Sequence, residues 1–270
     1  MDLGKKIEDG IKYVNKHIWI ISIPIIIDLI TLFLYQVIYQ ISYTPAYKFF
    51  ALKLGFVSSP PSVSYLLEDF PTILFQNNQN GIVGFVNRIT ASNVLLIITV
   101  TFVMSFISSV YLCAIDKSYD NAEGIKNFLV NGNKLWPKFF IIQAIGTIPF
   151  ILIIFSKWLI ISAFINILFI YVSYSFIVDE VNIKENFRRG IGFLFGNFGL
   201  TIKIALYFGF ILSFISIFIF LIAKVGTAGV IVDIIVMAYL GTVANKAVLE
   251  IYREKVSENI EVENMVYIQE

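Results

Sequence analysis

Histidine and cysteine are almost missing from this chain, which contains one residue of each. Histidine is the commonest general base and a leading metal ligand, so a single copy, His17, leaves little for catalysis. The lone Cys113 excludes an intrachain disulfide and a CxxC metal site. The sequence also lacks a GxxxxGK[ST] phosphate loop, an HExxH pair and a GxSxG elbow. We therefore expect no metal, no cofactor and no enzymatic activity, with His17 at a membrane interface and Cys113 packed in a span.

Charge is scarce as well: only 14% of the residues are charged, against about 25% in soluble proteins. The formal net charge of +1 provides no basic face of the kind that nucleic acid requires. Hydrophobic residues, in contrast, make up 58% of the chain, and its mean hydropathy is +0.81. A soluble fold could not bury that much apolar surface, so the lipid bilayer is the predicted environment.

The apolar residues come in blocks of the length that an α-helix needs to cross a bilayer. We predict an all-α, polytopic transmembrane helix bundle that forms a single membrane domain, and a first span that is retained rather than cleaved as a signal peptide. Lys157 and Trp158 divide one long apolar stretch into two spans joined by a tight turn. The six predicted spans are 18–39, 94–115, 139–155, 158–178, 200–221 and 227–249.

Lysine and arginine are unevenly distributed between the two sets of connections, and cytoplasmic connections are the ones that collect them. The poorer set contains Lys48, Lys53, Arg88, Lys157 and Lys224. We therefore predict a protein of the cell membrane whose N-terminal segment, 1–17, and acidic tail, 257–270, are both cytoplasmic. The richer set contains Lys5, Lys6, Lys12, Lys16, Lys117, Lys126, Lys134, Lys138, Lys184, Arg188, Arg189, Lys203, Lys246, Arg253 and Lys255.

The outer connection, 40–93, is too long for a turn and too apolar for a disordered linker. Its aromatic residues and leucines are mixed with Pro60, Pro61 and Pro71. We expect short amphipathic helices on the outer surface, such as Val63–Phe75. Re-entry of that segment into the membrane is the alternative.

Two inner connections resemble each other and indicate an internal repeat. Aligning Asp120–Phe140 with Val178–Phe198 superposes Ile125 on Ile183, Lys126 on Lys184, Gly132 on Gly190 and Phe140 on Phe198. Each unit is predicted to be a span, an amphipathic interfacial helix and a second span, with a break at a glycine and asparagine cluster. Anionic phospholipid headgroups are the expected partners of the basic residues of these helices, which are Lys126, Lys134, Lys184, Arg188 and Arg189.

The second unit resembles a broad family of prokaryotic six-span membrane proteins. The features that match are an acidic pair ending a span, a basic pair in the amphipathic segment and a glycine–asparagine–aromatic turn. The family includes the membrane domain attached to some glycerophosphodiester phosphodiesterases, whose catalytic barrel has no counterpart here. The resemblance implies a membrane-embedded helper or assembly domain. It rests on Asp179, Glu180, Arg188, Arg189, Gly196, Asn197 and Phe198, echoed in the first unit by Gly132, Asn133 and Trp136.

Four polar residues lie inside predicted spans: Asp28, Asp233, Gln143 and Asn166. A charge in hydrocarbon is costly unless it is neutralised, paired or hydrated. Pro24 could kink the first span, so that Asp28 would line a hydrated cavity and bind a cation or proton, and Asp28 and Asp233 are expected to approach within one or two helical turns. The alternative is that these side chains hydrogen-bond helices together.

Three functions remain open from the sequence. The first is a non-enzymatic accessory or scaffold protein in membrane homeostasis or in a complex with other membrane proteins. The second is a small secondary transporter or ion-coupled permease that uses Asp28 and Asp233. The third is an enzyme that modifies lipid headgroups and whose acids gather at the inner interface, drawn from Asp116, Asp120, Asp179 and Glu180.

Overall fold

The computed structural model describes residues 2–45, 53, 55–71, 76–78, 81–83, 90–116, 124–153, 167–179 and 181–269. Within these ranges the fold is all-α apart from two strands of three residues each. Its eight helices are α1 (Leu3–Lys16), α2 (Ser22–Tyr39), α3 (Ala91–Ile115), α4 (Gly124–Ile153), α5 (Ile170–Val178), α6 (Ile183–Gly196), α7 (Phe198–Ala223) and α8 (Thr227–Gln269).

Four helical segments are long and apolar enough to cross a membrane: Ile18–Tyr39, Ala91–Ile115, Phe198–Ala223 and Thr227–Glu258. They correspond to the first, second, fifth and sixth predicted spans. The other two predicted spans include residues outside the described ranges, as does the turn at Lys157 and Trp158, so the count of six stays a prediction. Phe210, Phe214 and Phe218 recur at every fourth position of α7 and are exposed, which is typical of a face that meets lipid.

Helix α8 is the element around which the bundle is organised. It packs against α1, α2 and α7 and also contacts α3 and α5. The turn into it from α7 requires Gly226, whose φ of 103° is poorly tolerated by other residues. The helix continues through the predicted acidic tail to Gln269, instead of ending with the membrane span.

The N-terminal segment folds as α1 and lies along the second half of α8. Gly10 packs against the carbonyl of Val243, and Lys6 forms an ion pair with Glu254 at 2.7 Å. Both helices meet the end of α3, where the Tyr13 hydroxyl donates to the Ala114 carbonyl at 2.9 Å. The Lys246 ammonium likewise donates to Ile115 at 2.7 Å. We call this end of the bundle the α1 end and the opposite end, where α2 finishes at Tyr39, the loop end.

Pro24 lies at the start of a helix and not in its interior. Helix α2 begins at Ser22, after a 3₁₀ turn at Ile18–Ile21, so Pro24 stands in its first turn. A helix leaves its first N–H groups without partners in any case, and the missing N–H of proline therefore costs nothing there. The first span changes at this point from a 3₁₀ turn to an α-helix, and the kink beside Asp28 stays a prediction.

In both repeat units a glycine allows close packing between two helices. A Cβ on Gly132 would lie 2.9 Å from the Cα of Val110, and a Cβ on Gly190 would lie 2.6 Å from the Cα of Val172. Both glycines thus let the helix after a span press against the backbone of that span.

The units differ in how the chain continues. In the second unit α6 ends at Gly196 and α7 begins at Phe198, as predicted from the glycines on either side of Asn197. In the first unit α4 runs unbroken from Gly124 to Ile153, so the predicted break is wrong. Gly132 and Asn133 are followed by Lys134 and Leu135, which favour a helix, and α4 continues through Pro137 although proline is unfavourable in a helix interior.

The outer connection contains no interfacial α-helix within its described residues. Val63–Tyr65 forms a single 3₁₀ turn, and Gln76–Asn78 pairs antiparallel with Gly81–Val83. Prolines at 60, 61 and 71 restrict helix formation across this stretch. We call Gly55–Pro71 the inserted segment, because Val57, Val63, Leu66, Leu67 and Phe70 are buried in the core of the bundle.

Candidate functional site

Asp28 binds the inserted segment at Ser62 and Val63. Its Oδ1 accepts a hydrogen bond from the Ser62 hydroxyl at 2.8 Å, and its Oδ2 accepts one from the backbone N–H of Val63 at 2.7 Å. The carboxylate is buried in α2 and has a donor on each oxygen. The contacts of Asp28 are therefore those of a residue that fixes the loop inside the bundle.

The tip of the inserted segment reaches α8 close to the α1 end. Asn245 donates from Nδ2 to the carbonyl of Ser58 at 2.8 Å. Gly241 makes room for the tip, since a Cβ there would lie 2.3 Å from the Cβ of Pro61. Asn245 directly precedes Lys246, which is bonded to the end of α3, so the segment crosses most of the depth of the bundle from the loop end.

Asn245 also joins the two repeat units. Its Nδ2 donates to the Tyr111 hydroxyl of α3 at 3.3 Å, and its Oδ1 accepts from the Tyr174 hydroxyl of α5 at 3.2 Å. Tyr111 in turn donates to Thr242 at 3.2 Å. These side chains are buried, and every bond stays within the molecule.

The local sequence around Asn245 gives little sign of this role, because a single amide in a long apolar helix is common. One signal does exist in the repeat. Tyr111 precedes Asp116 by the same number of residues as Tyr174 precedes Asp179, and the two pairs align when the longer connection after Asp116 is allowed a gap in the repeat. Equivalent tyrosines one turn from equivalent acids point to a shared partner, although they do not say which residue it is.

The acids that end α3 and α5 are both tied to α8. Asp116 forms an ion pair with Arg253. Asp179 accepts hydrogen bonds from Tyr252 and Ser175, each at 2.8 Å, and pairs with Arg189 at 3.2 Å. Asp120 and Glu180 lie outside the described residues. Asp116 and Asp179 therefore each anchor the end of a helix to α8.

Helix α6 carries the predicted lipid contacts of the second unit. Asn182 caps it by accepting from Glu185 N–H at 2.9 Å. Lys184 is exposed, and the Arg188 side chain is 82% exposed, whereas Arg189 turns toward Asp179 and Glu185. Burial opposes the charge of Arg189, but these two acids outweigh it and raise the pKa of the guanidinium. Of the basic pair, Arg188 is the one directed outward.

In the first unit Lys134 is exposed on α4, and the side chain of Lys126 lies outside the described part of the structure. Gln143 accepts from the Ser105 hydroxyl at 3.0 Å and donates to that of Ser108 at 2.9 Å, which joins α4 to α3. Asn166 lies outside the described residues. Asp28 and Gln143 thus have separate partners and do not belong to one site.

Asp233 differs from the other buried acids. It is 0% exposed in α8, and neither carboxylate oxygen has a hydrogen-bond partner. The oxygens of Asp28 accept their hydrogen bonds from the inserted segment and not from Asp233, and the expected approach of the two acids to within one or two helical turns stays a prediction.

The neighbourhood of Asp233 includes Tyr43, which donates to Asp69 at 2.8 Å. Burial raises the pKa of the Tyr43 phenol, the charge of Asp69 and its hydrogen bond raise it further, and the charge of Asp233 adds to the rise. Within the described ranges no three His, Cys, Asp or Glu side chains are placed to hold a metal ion together.

Comparison with protein-family models, with curated proteins and with solved structures finds no match to this chain.

Proposed function

We propose that this chain is a multi-pass protein of the cell membrane, with both ends in the cytoplasm, that acts as a non-enzymatic scaffold. In this proposal α6 lies in the inner headgroup region and holds anionic phospholipids. The observation that carries the proposal is the outward face of α6, which combines basic and aromatic side chains next to the apolar helix α7. The resemblance to a family of membrane helper domains agrees with this role and stays a prediction.

The composition of that face fits a lipid surface. Lys184, Arg188 and Phe195 fall on one side of α6, because their spacings of one and two further turns are helical. Phe195 is 64% exposed, and Phe198, at the start of α7, is 56% exposed. Basic residues over an aromatic and apolar flank are typical of helices that lie in the interface of anionic membranes.

The contacts of the inner acids favour a scaffold over a lipid-modifying enzyme. An acid that works as a general acid or base must reach the reacting atoms with a free oxygen. Asp116 and Asp179 instead hold α3 and α5 to Arg253 and Tyr252 of α8. Their arrangement supports a function in which the packed bundle presents a surface.

Native mass spectrometry of the protein, extracted in mild detergent, tests this proposal by counting retained anionic lipids. The change is Lys184→Glu with Arg188→Glu, which leaves Arg189 and its bond to Asp179 intact. Each basic residue at such a surface is worth about 1 kcal/mol and the new glutamates repel anionic lipid, so we expect the affinity for anionic lipid to fall at least about thirtyfold.

The matched control is Lys5→Glu with Lys12→Glu, which makes the same change in charge at two exposed positions of α1, ahead of the first candidate span. This control should retain the wild-type lipid count. Equal retention by the α6 variant and the wild type would contradict the proposal.

An ion-coupled permease is the second candidate, and the inserted segment is the observation that favours it. A non-helical segment that crosses most of a bundle is tolerated in membranes where it is buried in protein or lines a path. Proteoliposomes with an entrapped pH dye and an imposed Na⁺ gradient test this function. Loss of flux in Asp28→Asn at unchanged thermal stability would support transport, whereas equal loss of folded protein would leave Asp28 a purely structural role.

A further inference from the structure

Within the described ranges, every buried carboxylate but one has a hydrogen-bond or ion-pair partner on at least one oxygen. Asp28 has two donors, Asp179 has three, and Asp116 is paired with Arg253. Asp233 is the one buried carboxylate in the described ranges whose two oxygens both lack a hydrogen-bond partner. It lies six residues into a helix that is long and apolar enough to span a membrane.

An ionised carboxylate without a partner is strongly unfavourable when it is buried in a membrane span. The removal of an ion from water costs several kcal/mol even after the protein relaxes, and only a nearby positive charge or a proton offsets that cost. The other acids above show that this fold supplies donors where a carboxylate is structural. Asp233 has no such donor among the described residues, so we infer that a positive charge from outside the chain neutralises its carboxylate.

Two cations in the described part of the chain lie near the loop end, and both are bound to other groups. Lys53 pairs with Glu68 at 3.0 Å, and Lys224 donates to the carbonyl of Pro45 at 2.7 Å. The titratable groups on α2 and on the outer connection, which face this part of α8, are Asp28, Tyr35, Tyr39, Tyr43 and Asp69. All of them present oxygen, which is the ligand of protons and of hard cations.

We propose that Asp233 is a binding site for one monovalent positive charge, a proton or Na⁺, reached from the loop end. The site goes beyond the scaffold function, and it does not require transport: a protein that binds the charge without moving it would pass a binding test and fail a flux test. Without the bound charge the folded protein has to bury a bare carboxylate. Its stability should therefore fall as the pH rises in Na⁺-free buffer.

Labelling with dicyclohexylcarbodiimide tests the proposal on the wild-type protein. The reagent adds to a protonated carboxyl group in apolar surroundings, and mass spectrometry of peptides locates the adduct. We expect an adduct on Asp233 at acidic pH that is lost at alkaline pH. Suppression by Na⁺, but not by choline at equal ionic strength, would identify Na⁺ as a ligand, and dependence on pH alone would identify the proton. Labelling of Asp233 that responds to neither pH nor Na⁺ would overturn the proposal, as would no labelling at any pH.

Thermal unfolding of Asp233→Asn in detergent provides the second measurement. The amide has nearly the same shape and no charge, so the variant should lose the dependence of its unfolding temperature on pH and Na⁺. Asp28→Asn, which changes a buried carboxylate that already has donors, should retain the dependence. The same dependence in Asp233→Asn as in the wild type would overturn the proposal. If the variant does not fold, the labelling of the wild type still decides.

Discussion

Gly132 and Gly190 occupy equivalent positions of the repeat and have the same role in helix packing. Each brings the backbone of one helix against Val110 or Val172 of the preceding span, closer than any side chain would allow. Sequence alignment alone pairs the two glycines, and the close approach explains why no larger residue fits there.

Gly190→Ala should destabilise the protein by about 1–3 kcal/mol, because the new methyl group meets the backbone of Val172, which cannot move aside. Gly192→Ala is the matched control on the same helix, since nothing lies within 4 Å of its Cβ position. That control should be neutral or gain up to about 1 kcal/mol of helix propensity. Chemical unfolding in detergent measures both variants, and equal stabilities would contradict the packing of α6 on α5.

Asp28→Ala should lower the free energy of unfolding by about 1–3 kcal/mol, because the Val63 N–H and the Ser62 hydroxyl lose their acceptor inside the bundle. Asp28→Asn should retain most of the stability, since its Oδ1 can accept from Val63 while Nδ2 donates to Ser62. The comparison of the two unfolding curves checks this expectation. Equal losses in both variants would mean that the charge of Asp28, and not its hydrogen bonds, holds the segment.

At the scale of elements, α8 links parts of the chain that are far apart in sequence. Through Asn245 it holds the inserted segment and both repeat units, and through Arg253 and Tyr252 it holds the acids that end α3 and α5. Helix α8 is therefore a candidate span, and it also holds together the helices that meet at the α1 end.

Asn245→Ala should release the inserted segment from α8. The Ser58 carbonyl and the Tyr174 hydroxyl would each lose a buried partner, at a cost of about 1–3 kcal/mol for each group that stays unpaired. Asn15→Ala, which removes an exposed bond to Tyr239, is the control and should change the unfolding curve far less. A loss as small as that of the control would show that the segment is not held through Asn245.

The elements differ in how far the sequence predicts them. Long apolar runs determine the four candidate spans, and the glycines around Asn197 determine the break between α6 and α7, because both signals are local. The partners of Asp28 and Asn245 come from the inserted segment, which is remote in sequence and has no regular periodicity. No local pattern could assign those bonds, and for the same reason the outer connection was expected on the surface and not inside the bundle.

At the scale of the whole molecule, α1 and the second half of α8 pack together at one end, and the inserted segment enters from the other. The proposed function requires a membrane between these two ends, with the outward face of α6 on the cytoplasmic side. Composition predicts the membrane, and the distribution of lysine and arginine predicts the orientation. The contacts of α1 with the second half of α8 bring these two segments to the same end of the bundle, and the side of the membrane on which that end lies stays a prediction.

The most direct test of this account is the labelling of single cysteines in intact cells by a membrane-impermeant maleimide. The parent is Cys113→Ala, which removes the one native thiol from its buried position. Val225→Cys reports on the loop end, where the native side chain is 78% exposed, and Lys184→Cys reports on α6. The account predicts that position 225 reacts in intact cells and that position 184 reacts only after the membrane is permeabilised. Equal labelling of both positions in intact cells would contradict it.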